Sequence, residues 1–113
     1  MITVKIAMVE EYHHIQLTLK GHAGQAEHGQ DIVCASASIL AYTVAQIVKA
    51  MEQHGDLVGK PIINLNEGDA MISCRCREAD VFGELVHTFF VAHVGYLLLA
   101  HNYPEYVSLE SVW

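Results

Sequence analysis

Apolar and polar residues alternate at the start of the chain: Ile2, Val4, Ile6 and Met8 form one run, and Ile15, Leu17 and Leu19 form a second after Glu10 and Glu11. Period two with a polar break predicts an antiparallel hairpin. The second run carries His14, Gln16, Thr18 and Lys20 on its other side, so one face of the sheet is expected to meet water. Gly21 ends it. From Ile32 the spacing becomes helical, with Ile32, Ser36, Ile39, Leu40, Val44, Ile47, Val48 and Met51 expected on the buried side. Asp31 is a good N-cap for that helix, and Gly55 closes it after His54.

Beyond Pro61 the pattern predicts a strand over Ile62 to Asn66, a turn at Glu67-Gly68-Asp69 and another strand over Ala70 to Arg77. Helical spacing returns from Glu78 to His101 through Phe82, Leu85, Val86, Phe89, His93 and Leu97. Asn102-Tyr103-Pro104 stops it, and Tyr106 to Val112 reads as a last strand. The order ββαββαβ predicts an α+β two-layer sandwich, with two long helices on one face of a mostly antiparallel sheet. The second helix is apolar almost all round, because Phe90, Val91, Val94, Leu98 and Leu99 lie outside its first stripe. A sheet cannot cover a whole cylinder, so either the first helix or a second copy of the chain must cover the rest. A homodimer is the expectation.

The 113 residues suit one domain spanning positions 1–113. The net charge of −7 and the scatter of six basic residues argue against direct nucleic-acid binding, and favour encounter with a basic partner. Three cysteines and a strand-like start point to a reducing, cytoplasmic setting without a disulfide framework. The apolar run Thr88 to Ala100 is short for a membrane span and contains His93, so no membrane partner is expected. Cys74 and Cys76 suggest metal binding with His13 or His14, but they share a strand face with Ile72, which predicts core packing. No metal or other cofactor is expected.

The chemistry concentrates in GHAGQAEHGQDIVCASAS, Gly21 to Ser38. Capped by Asp31, the helix holds Cys34 in its first turn, where side chains lean back toward the preceding loop. A thiol with pKa about 8.5 is only about 3% ionised at neutral pH. A helix N-terminus contributes about 0.3–1 kcal/mol toward an anion, so a partner imidazole decides whether the thiol is reactive. Spacing leaves both His22 and His28 as candidates for that base. Gly21, Gly24 and Gly29 let the loop fold back and act as hinges. Cys34 would attack a carbonyl, the histidine would take and return a proton, and N–H groups at the helix start would hold the oxyanion. Ser38 lies one turn beyond Cys34 and can reach the sulfur or the substrate. Asp31 caps the helix, orients the histidine, or does both. The plainer alternative for Cys34 is a small buried hydrophobe.

Gly21-His22-Ala23-Gly24, followed by Asp31-Ile32-Val33-Cys34-Ala35 and Ser38, resembles the signature of the ribosomal-processing cysteine protease family, Prp. The first hairpin, the glycine turn near Gly68, the long second helix and the ending Tyr103-Pro104-Glu105-Tyr106 resemble that family too. The resemblance implies a cytoplasmic, dimeric endopeptidase with His22 and Cys34 as its dyad and Asp31 and Ser38 as supporting residues. It also implies removal of the N-terminal extension of a large-subunit ribosomal protein precursor, with cleavage after paired phenylalanines. Ser36 and Ala37 depart from the family pattern beneath the nucleophile. Two competing readings remain at this point: a non-enzymatic module that binds a ribosomal protein during assembly, and the same peptidase chemistry on a phage structural protein.

Overall fold

A computed structural model describes residues 1–22 and 31–112. The hairpin pattern yields strands β1 (Ile2–Val9) and β2 (His14–Lys20), joined through a single turn of 3-10 helix at Glu10–Tyr12. Helix α1 (Ile32–Gln53) follows, then β3 (Ile62–Asn66), β4 (Asp69–Arg75), helix α2 (Ala79–Asn102) and β5 (Val107–Val112). The order ββαββαβ matches the sequence pattern, with several boundaries moved by one or two residues. The fourth strand ends at Arg75, leaving Cys76 in an isolated bridge to Leu57, and the last strand starts at Val107.

The sheet order is β3-β4-β2-β1-β5. Three pairings are antiparallel, and β5 lies parallel to β1 with Ile2 opposite Val107 and Ala7 opposite Val112. Alternation then sorts the faces. Val4, Ile6, Ile15, Leu17, Ile72 and Cys74 are buried under the helices, while Lys5, Ala7, Lys20 and Arg75 stand on the open face. His14 and Ser73 also belong to the open face, where His14 Nε2 and Ser73 Oγ pair at 2.8 Å. Cys74 and Cys76 are buried as their shared face with Ile72 predicts, on the side away from His14.

The helix stripes differ from the expectation. In α1 the buried residues are Val33, Ala37, Ala41, Val44, Ala45 and Val48, whereas Ile32, Ile39 and Ile47 are exposed. The reason is proximity. Alanines let α1 approach α2 closely enough for the buried Tyr96 hydroxyl to donate to the Ala37 carbonyl at 3.0 Å. Gly95 serves the same approach, since a Cβ there would lie 2.8 Å from a Leu40 methyl carbon. In α2 the stripe is Phe82, Leu85, Phe89, Ala92, Tyr96 and Leu99, so Leu99 joins the core and Leu97 is exposed.

By length and composition both helices are apolar enough to cross a membrane, and α2 extends well beyond the apolar run seen in the sequence. Each nevertheless lays one buried stripe on the sheet. On the outer side of α2, Phe90, Val91, Val94, Leu97 and Leu98 are exposed, with Val91 at 60% and Leu98 at 58%.

Candidate active site

The site forms where β2 ends and α1 begins. Asp31 is extended (φ −74°, ψ 93°) and its carboxylate accepts from the Cys34 N–H at 3.0 Å, which makes it the N-cap of α1. This cap fixes the first turn, and with it the half-buried Cys34. The carboxylate also sets a negative charge at the base of the cysteine, which opposes ionisation of a nearby thiol. Because the Cys34 N–H is committed to Asp31, that group is not an oxyanion donor while the cap is made. The expectation that helix-start N–H groups hold the oxyanion therefore falls to others.

Gly21 leaves β2 with φ +92°. A side chain there would collide with the Met1 carbonyl oxygen, so only glycine lets the chain pass this close to the start of β1. His22 follows, exposed, with its ring against the α-carbon of Gly68 in the β3–β4 turn. Gly21, His22, Asp31, Cys34 and Ser38 all line one cavity of about 510 Å³. Ile2, Leu19, Ala41, Tyr42 and Leu65 give it an apolar wall, and Asn66, Glu67 and Asp69 a polar rim. The Asp69 carboxylate is paired with Lys20 across the sheet. Gly24, Gly29 and His28 lie outside the described residues.

The three thiols are not equivalent. Burial, helped by the neighbouring Cys76, pushes the Cys74 thiol up to about 12. Burial, with the Asp56 carboxylate second, pushes Cys76 up to about 11. Both are held as neutral core groups, and Cys34 is the thiol that lines a cavity. Among the described residues no cluster of three or more histidine, cysteine or acidic side chains could hold a metal ion.

The β3–β4 turn is the part of the site that the local sequence does not announce. Glu67-Gly68-Asp69 reads as a turn from its composition, but nothing near it marks contact with His22. That contact arises because β4 pairs with β2, setting Asp69 opposite Lys20.

The family model for the cysteine protease Prp matches residues 1–108. The chain belongs to the Prp family of cysteine proteases. A ribosomal processing cysteine protease Prp from Mycoplasma pneumoniae is 28% identical over 98 residues, covering 87% of this chain and 88% of its own. Among solved structures, an essential ribosomal processing protease Prp from S. aureus with a covalently linked product peptide superposes with TM-score 0.68 at 26% identity, covering 98% of this chain and 99% of that one. The same S. aureus Prp with a substrate peptide gives TM-score 0.66 at 25% identity, with the same coverage. SMU.848 from Streptococcus mutans gives 0.67 at 26%, covering 99% of this chain and 94% of its own. The Prp fold is thus the α+β sandwich described above, and a Prp enzyme is a cysteine protease.

Proposed function

We propose that this protease removes the N-terminal extension of a large-subunit ribosomal protein precursor in the cytoplasm, with Cys34 as nucleophile and His22 as general base and acid. The observation that carries the assignment is that Cys34 opens on the cavity His22 lines, while Cys74 and Cys76 are buried and held neutral. His22 takes the thiol proton, and the Cys34 sulfur attacks the scissile carbonyl to give a tetrahedral intermediate. His22 then returns the proton to the leaving amine, and the acyl-enzyme is hydrolysed by water. Ser38, one turn along α1 and lining the same cavity, would contact the sulfur or a substrate carbonyl. The wall formed by Ile2, Leu19, Ala41, Tyr42 and Leu65 suits large apolar side chains next to the cut. The net charge of −7 favours a basic ribosomal protein.

The working form we propose is a homodimer, because the outer side of α2 carries contiguous exposed apolar residues. Intact-mass analysis of an N-terminally extended ribosomal precursor tests the activity, with wild type, Cys34→Ala and His22→Ala run side by side. Loss of the extension with wild type alone is the expected result. Cleavage by Cys34→Ala would remove the nucleophile assignment. Capture of the precursor by wild type without cleavage would favour a binding module, and cleavage of a phage structural protein instead would keep the chemistry and change the substrate.

A further inference from the structure

We propose that Gly68 is a positioning residue for the histidine: the β3–β4 turn is a seat that only a residue without a side chain can offer to the His22 imidazole. The inference rests on the reading of His22 as the base for Cys34. Among the described residues, His22 has little besides this turn to hold it. It is exposed, it lies just past the end of β2, and neither a strand nor a helix contains it. A base in such a place samples several rotamers unless something fixes the ring.

The neighbouring turn supplies that constraint. A Cβ built on Gly68 would fall 2.6 Å from His22 Nε2, 2.9 Å from Cε1 and 3.4 Å from Cδ2. The Nε2–Cε1 edge of the ring therefore occupies the space a side chain would fill. The backbone ties the same two points together, since the Gly21 N–H donates to the Gly68 carbonyl at 2.9 Å. Next to it, Lys20 stands opposite Asp69 in the sheet register and pairs with its carboxylate. The seat and the residue it supports are thus anchored to one strand end.

Gly68 also has φ +74°, a left-handed backbone that would favour glycine without any histidine nearby. The fold supplies a control for that second requirement. Gly59 has φ +69° and nothing within 4 Å of a Cβ built on it, so replacing it tests backbone strain alone.

The test compares wild type, Gly68→Ala, Gly59→Ala and His22→Ala by kcat and KM on the extended precursor, by melting temperature, and by the rate of Cys34 alkylation against pH. Displacing a catalytic group by about 1 Å costs roughly 100-fold in rate, so Gly68→Ala is expected to lose about 100-fold in kcat with little change in KM. Its melting temperature should fall no further than that of Gly59→Ala. Its alkylation profile should match that of His22→Ala, while Gly59→Ala keeps the wild-type profile. A Gly68→Ala enzyme no slower than Gly59→Ala overturns the proposal. Should Gly68→Ala not fold, Gly68→Asn is judged against Gly59→Asn, because asparagine tolerates left-handed backbone yet carries the same Cβ. If neither variant at 68 folds while both at 59 do, Gly68 is structural only and the proposal falls. Full activity and an unchanged alkylation profile in His22→Ala would instead overturn the dyad itself.

Discussion

At the scale of single residues, Asp31 acts on Cys34 in two opposing ways. Its carboxylate caps α1 through the Cys34 N–H, and its charge disfavours a thiolate one turn away. Asparagine caps about as well and carries no charge. Asp31→Asn should therefore fold normally, keep most of its activity and shift Cys34 alkylation to lower pH. Asp31→Ala should cost about 1 kcal/mol in denaturant unfolding through loss of the cap. A large loss of activity in Asp31→Asn at unchanged stability would assign Asp31 to orienting the histidine instead. The other two thiols make a separate prediction. With burial pushing Cys74 up to about 12 and Cys76 up to about 11, iodoacetamide at pH 7 to 8 should modify Cys34 alone until the protein unfolds. Folding holds those two protons more tightly than the unfolded chain does. Their contribution to stability is thus fully present below pH 9 and is lost as pH rises through 11 to 12, which alkaline denaturation would show. The Asp31–Cys34 cap was legible in the sequence because it is local, spanning three residues. The seat of His22 on Gly68 was not, because it depends on which strand lies beside β2.

At the scale of elements, the sequence pattern predicts the number, type and order of strands and helices, and the buried positions Phe82, Leu85, Phe89, Val44 and Val48, but it misplaces other positions on the buried side of each helix. Pattern reading favours the largest aliphatics, and in α1 it selected Ile32, Ile39 and Ile47, which are exposed. The core instead takes Ala37, Ala41 and Ala45, because a close helix pair needs small residues at its contact. Ala37 is the clearest case. It is buried, and its carbonyl receives the Tyr96 hydroxyl one turn along α1 from Cys34. Burial raises the Tyr96 phenol well above its ordinary range, so it stays a neutral donor. Tyr96→Phe removes that donor while keeping the ring, and should destabilise the fold by about 0.5–1.5 kcal/mol in a urea melt. A cost near zero would mean that the ring alone holds the helices together.

At the scale of the whole molecule, the sheet face of α2 is covered and the outer face is not. Phe90, Val91, Val94, Leu97 and Leu98 form an apolar surface on one side of the helix, as a second copy of the chain would require. Leu98→Glu should convert the proposed dimer to monomer in sedimentation equilibrium, with Leu98 already exposed so that the fold itself survives. A wild-type monomer at micromolar concentration would refute the dimer. The all-round apolarity of α2 was visible in its sequence. The strand order was not, because alternation shows which face is buried and leaves each strand's neighbours open.

The parallel pairing of β1 and β5 has a practical side. Ile2 lines the cavity, and the Met1 carbonyl packs against Gly21 beside His22, so whatever is joined ahead of Met1 emerges beside the cavity proposed as the active site. The end of β5 lies beside Ala7, toward the opposite end of β1. A purification tag fused ahead of Met1 would begin beside the candidate site, whereas β5 ends at the other end of β1.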